Sequence, residues 1–146
     1  MNPNNMINKI KRAYYYYFYK IYKSIEYTSE QFGGSFWTDF KAGVVMIALE
    51  IWTILLLINY YNIFLNRYFH LEKRTFFFLG FIIIVVNYLA FVHTDIWKEY
   101  NKNFDKLPKE VNKKGSWIVF GITIFIIVNL IFSFYLMNQI DWSRYR

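Results

Sequence analysis

From Ile7 onward, apolar and aromatic side chains recur every three or four positions. Ile7, Ile10, Tyr14, Tyr17, Phe18, Ile21 and Ile25 share one helical face, while Lys9, Arg12, Tyr16, Lys20 and Lys23 occupy the other. This spacing predicts an amphipathic helix over residues 7–31. A basic face opposite an aromatic and aliphatic one is the composition of a helix lying in a membrane interface. Gly33-Gly34 then breaks the pattern. Ser35 or Thr38 is expected to cap the next helix by accepting a hydrogen bond from a free backbone N–H.

The period is lost over residues 41–64 because the run is apolar all round. A run of this kind needs about 20 residues to cross a hydrocarbon core ~30 Å thick. Two more such runs, residues 75–93 and 116–137, predict a second and a third span. The short polar link from Asn66 to Arg74 makes the first two antiparallel neighbours. The second helix is expected to continue through His93-Thr94-Asp95 as far as Lys102, with Asp95–Lys98 and Glu99–Lys102 pairs on its surface. Pro108 stops any helix before it, and Asn112 with Gly115-Ser116 is expected to start the last one. The chain therefore reads as all-α, a single membrane domain over residues 1–146 with three transmembrane helices preceded by an interfacial amphipathic helix.

Composition agrees: 56% of the residues are hydrophobic, 24% aromatic and only 18% charged. With three spans, little chain is left for a soluble catalytic domain. The net charge of +7 sits beside the apolar runs, where anionic headgroups attract each basic residue by ~1 kcal/mol. It is read as lipid contact through Lys9, Arg12, Lys20, Lys23, Lys113 and Lys114, with no nucleic-acid partner. No cysteine occurs, which excludes disulfides, thiolate metal sites and a Cys nucleophile.

Orientation follows from the basic residues beside the spans. Lys9, Lys11, Arg12, Lys20, Lys23 and Lys41 precede the first span, and Lys98, Lys102, Lys106, Lys109, Lys113 and Lys114 lie between the second and third. These two regions share one side. The other side holds Arg67, Lys73, Arg74, Arg144 and Arg146. A cytoplasmic N-terminus and an outside C-terminus are expected. Trp37, Trp97 and Trp117 fall at the cytoplasmic boundary and Trp142 at the outer one, where indole rings anchor.

Glu50 is the costly residue, because a carboxylate in mid-span is disfavoured by ~2.5–3.5 kcal/mol and so faces protein or water. At ~1.5 Å per residue, Glu50, Asn87 and Thr123 lie roughly 12, 10 and 9 Å from the same boundary. These three form an expected intramembrane polar cluster. A conducting path needs a second titratable group at another depth; Asn59, Asn62 and Asn129 are polar, but none titrates. His70 and His93 fall on opposite sides and cannot share a metal, so neither a metal nor a cofactor is expected. His93 is read as an interfacial residue beside Asp95. No P-loop, Gly-x-Ser-x-Gly or HExxH pattern occurs.

The segments NYLAFVHTDIWKEYNKNFDKLPKE and GSWIVF…VNLIFSFYLMNQIDW resemble uncharacterised small three-span membrane proteins of Bacteroidota. The resemblance covers roughly the last 60 residues, carries no activity, and implies a bacterial inner-membrane setting. An interfacial helix plus three spans is also similar in architecture to the bacterial diacylglycerol kinases. Here Asp39, Asp95 and Glu99 lie near the boundary, but the local motifs do not match. The expected function is therefore non-enzymatic: a subunit or scaffold of a larger membrane complex, with a membrane-protein partner or a homo-oligomer. The alternative is a small oligomeric channel or permeabilising protein that uses Glu50.

Overall fold

The structure is a computed structural model, and it describes residues 3–31, 37–69 and 71–145. It is all-helical, with no strand among the described residues, and has three helices long and apolar enough to cross a membrane. In chain order these are α1 (Pro3–Gln31), α2 (Thr38–Phe64), α3 (Lys73–Tyr88), α4 (Ile96–Asp105) and α5 (Lys109–Asn138). A π-helical turn, Leu89–His93, extends α3, and a short 3-10 turn, Trp142–Tyr145, follows α5. Gly33, Gly34, Ser35 and His70 lie outside the described residues.

The second helix is central: α5 packs along it, α3 lies against another side of it, and α1 crosses its first half. The α2–α5 seam follows from sequence spacing. On α2 the buried side chains Ala42, Leu49, Leu56 and Ile63 recur every seventh position, with Met46 and Asn59 three or four away. On α5 Val119, Ile126 and Ser133 repeat at the same interval. A seven-residue repeat keeps one stripe facing its neighbour at about 3.5 residues per turn, the geometry of left-handed coiled packing. Into this seam fall two polar pairs, Asn59 Nδ2 to Ser133 Oγ at 3.0 Å and Tyr60 OH to Asn129 Oδ1 at 3.0 Å. Van der Waals packing and hydrogen bonds of this kind are what hold helices together where lipid removes the hydrophobic drive between them.

The expected continuation of the second apolar helix does not occur. Thr94 is extended (φ −118°, ψ 138°), and α4 starts as a separate helix that turns back over α1. The cause is α4's own composition: Trp97, Asn101 and Phe104 form a buried stripe in an otherwise polar helix, which needs a protein surface to cover it. Of the two surface pairs expected there, Asp95–Lys98 forms at 2.7 Å, and Glu99–Lys102 is not an ion pair among the described residues. The last helix starts at Lys109, directly after Pro108, and runs unbroken through Asn112 and Gly115. Proline is tolerated there because the first N–H groups of a helix lack intrahelical partners. Likewise Thr38 is the first residue of α2 rather than its cap; that position falls to Trp37, held left-handed with φ 58°.

The resulting layers place α1 between the three apolar helices and α4. Phe18 is fully buried, stacked on Phe91 with centroids 3.9 Å apart and edge-on to Trp97. Tyr15 stacks on Tyr100 at 4.5 Å, and Tyr16 and Tyr19 pack against Phe104. Each such ring pair adds ~0.5–1.5 kcal/mol beyond its buried area. The buried surface of α1 is thus wider than the single stripe its period predicts. Tyr15 and Tyr19 turn toward α4, while Ile7 and Ile10, on the expected apolar face, are exposed.

Candidate functional site

Glu50 and Asn87 meet. Asn87 Nδ2 donates to Glu50 Oε2 at 2.7 Å and also reaches the carbonyl of Ile83, one turn back on its own helix. Asn87 is buried while Glu50 is half-buried. The other carboxylate oxygen is taken by a residue outside the expected cluster. Tyr14 OH donates to Glu50 Oε1 at 2.8 Å and lies 3.3 Å from Asn87 Oδ1. Both oxygens of the acid are therefore held by donors from its own chain.

Thr123 lies apart from that pair. Its hydroxyl is 2.7 Å from Tyr17 OH and 2.9 Å from the carbonyl of Val119. A carbonyl only accepts, so Thr123 donates to Val119 and Tyr17 donates to Thr123. Glu50, Asn87 and Thr123, one on each apolar helix, are thus joined through α1. Tyr14 reaches α2 and α3, and Tyr17, one turn on, reaches α5. Both tyrosines lie on the helical face that the three-and-four spacing identifies, and their ring bodies supply its apolar character. The signal for their role was the phenol, a polar tip on an apolar body. A hollow of about 410 Å³ opens beside this network, with Glu50, Thr53, Tyr14, Tyr17 and Ile83 in its walls.

A second polar group ties α1 to the α4–α5 corner. Lys20 Nζ donates to the backbone carbonyl of Asn112 at 2.8 Å and to its Oδ1 at 2.9 Å. The Asn112 amide donates in turn to the carbonyl of Phe104 at 2.9 Å, satisfying an acceptor at the end of α4. Tyr19 OH donates to Asp105 Oδ1 at 2.8 Å, and Lys23 lies 3.0 Å from Glu26 and 3.7 Å from Asp105. Burial lowers the Lys20 pKa. Burial and the Asp105 carboxylate raise that of Tyr19. Burial works downward on Lys23, but Glu26 and Asp105 outweigh it and the value is raised.

Of the six basic residues expected at lipid headgroups, Lys9, Arg12, Lys113 and Lys114 are exposed. Lys20 and Lys23 instead bind protein groups, because α4 and the start of α5 cover the face of α1 from which they project. Tyr16, expected on that same polar face, packs over Gly115 and bonds to Asn112. The expected anchors also divide. Trp37 and Trp117 are exposed, Trp142 donates to the carbonyl of Met137, and Trp97 is 7% exposed within the aromatic core. His93 is exposed and stacked on Tyr88. Among the described residues no group of three His, Asp or Glu side chains is placed to hold a metal. No protein-family model, curated protein or solved structure matches the chain.

Proposed function

We propose that the chain is a multi-pass protein of the bacterial cytoplasmic membrane, N-terminus inside and C-terminus outside, and serves as a non-enzymatic subunit or scaffold of a larger membrane complex. The orientation is supported by the excess of Lys and Arg before α2 and between α3 and α5. The observation that carries the scaffold reading is the α1 tie. One helical turn reaches one polar residue on each of the three apolar helices, Glu50, Asn87 and Thr123, and the costly acid is engaged in that tie. A carboxylate with both oxygens engaged internally is suited to fixing helices in place. The exposed Lys9, Arg12, Lys113 and Lys114 remain for anionic lipid or an acidic partner.

Native mass spectrometry after gentle detergent extraction at natural expression level is the test. A defined hetero-complex is the expected result, and its partner then supplies the cellular role. A homo-oligomer with nothing attached overturns the subunit reading.

The alternative, an oligomeric channel, has less support: the hollow beside Glu50 and Thr53 is otherwise walled by Met46, Leu49, Ile54, Ile83 and Ile126. Ion flux in liposomes that is lost in Glu50→Gln would carry it, and silent liposomes would remove it.

A further inference from the structure

Between α2 and α3 lies a groove of three successive hollows. The first, about 470 Å³, is at the end nearest α4 and is walled by Gly43, Val44, Ile47 and Ile84. It leads into an apolar stretch of about 310 Å³ between Ile51, Ile54, Gly80 and Ile84. Beyond it, a space of about 930 Å³ beside Leu55, Ile58 and Asn62 reaches Lys73 and Trp142 at the opposite end of these helices. Ile84 walls the first two, and Phe76 and Phe77 wall the last two, so neighbouring hollows share side chains. The first two hollows follow α2 from Gly43 to Ile54, roughly 16 Å at ~1.5 Å per residue. One leaflet's share of a ~30 Å hydrocarbon core is about that deep. Gly43 and Gly80 line the groove, and a Cβ at either position points into open space, with nothing within 4 Å.

The mouth is polar in a specific way. Asp39, Asp95 and Lys98 rim it between the indoles of Trp37 and Trp97. Lys98 Nζ bonds Asp95 at 2.7 Å and lies 5.7 Å from the Trp97 ring centroid. Among the described residues Asp39 has no ion-pair partner. The rim therefore holds one more carboxylate than cation, in a chain of net charge +7. A headgroup with both a phosphate and a primary ammonium fits this set: the phosphate approaches Lys98 and the ammonium donates to Asp39. A purely anionic headgroup meets a surplus carboxylate, and a quaternary ammonium offers Asp39 no N–H.

We propose that the α2–α3 groove binds one phosphatidylethanolamine molecule, an acyl chain between the helices and the headgroup at Asp39 and Lys98. This rests on the reading of the chain as an integral membrane protein. The test uses the full chain reconstituted in bilayers of equal parts phosphatidylethanolamine, phosphatidylglycerol and phosphatidylcholine, then released for native mass spectrometry.

One retained phosphatidylethanolamine, favoured about five-fold or more over each other lipid, a ratio read as relative affinity, is the expected result. Gly43→Phe combined with Gly80→Phe fills the groove and removes the bound lipid. Gly121→Phe, on α5 and equally open at its Cβ, retains it. Asp39→Asn, at an exposed position, keeps a bound lipid but loses the headgroup preference. Equal retention of the three lipids overturns the proposal, as does an unchanged preference in Asp39→Asn. Persistence of the lipid in a double-glycine variant of wild-type helicity does the same. A chain released from membranes by alkaline extraction overturns the membrane reading, and the proposal with it.

Discussion

Tyr14 donates a hydrogen bond to Glu50 across 2.8 Å, joining α1 to α2 at the level where Asn87 of α3 binds the same carboxylate. The phenol also has Asn87 Oδ1 within 3.3 Å, so loss of the acid leaves it a second acceptor. Tyr14→Phe is expected to lower stability in detergent by about 1 kcal/mol, in the range of hydrogen bonds between membrane helices. Glu50→Leu should cost more, because the Asn87 amide then keeps only the Ile83 carbonyl. A double-mutant cycle of Tyr14→Phe with Glu50→Leu, which removes the acceptor, should give a coupling of about 0.5–1.5 kcal/mol; additivity would show that the two side chains do not interact.

Ser133 donates to the carbonyl of Leu130 and accepts from Asn59 in the α2–α5 seam. Ser133→Ala removes the acceptor and leaves the buried Asn59 amide without it, at a cost of about 1–3 kcal/mol. Ser133→Thr, which keeps the hydroxyl, should recover part of that loss. Thermal unfolding of the three proteins in one detergent checks the order.

Gly115 lies directly beneath the ring of Tyr16, which is itself packed edge-on against Phe104 at 5.0 Å. A methyl group at Gly115 cannot share that space with the phenol, so Gly115→Ala should destabilise the chain by about 1–3 kcal/mol, the usual cost of overpacking. Adding Tyr16→Leu makes room and should restore most of the loss. Equal instability of the single and double variants would locate the effect elsewhere.

The Tyr19–Asp105 contact predicts an alkaline limit. Its phenol is held above the ordinary value near 10 by burial and by the carboxylate it donates to. A group whose pKa is higher in the folded state contributes fully below its unfolded value and loses that contribution as pH rises through the folded one. The α1–α4 contact should therefore be at full strength up to about pH 10 and weaken above it. Tyr19→Phe should be less stable at neutral pH and should lose less on going to strong alkali, as followed by far-UV circular dichroism across an alkaline titration.

Much of the architecture was legible because run length and period are direct readouts of helix and hydrocarbon thickness. The three apolar helices follow from that, and Glu50 and Asn87 come to one level by counting rise per residue. The polar partners were harder. Tyr14 and Tyr17 belong to an apolar face in any hydropathy reading, and a face of that kind suits lipid and protein equally. Only the three-dimensional register shows where their hydroxyls end. The bend at Thr94 was hidden because the polar sequence after it is also that of a helix extending into water. Trp97, Asn101 and Phe104 were the available clue, a stripe whose partner helix lies some eighty residues earlier in the chain. The seven-residue repeat of the α2–α5 seam was hidden because both runs are apolar all round, and only burial in the structure picks it out.

The layering of α1 beneath α4 sets an order of events during synthesis. Phe18, Tyr15 and Tyr19 leave the ribosome early, yet the rings that cover them, Phe91, Tyr100 and Phe104, emerge only after α2 and α3 have been made. Until then α1 has a largely uncovered aromatic face, and contacts so distant along the chain form late because their loop-closure entropy must be overcome first. A nascent chain halted before α4 would hold its first helix loosely, and completion of the Asn112 corner would mark the moment at which α1 is locked in place.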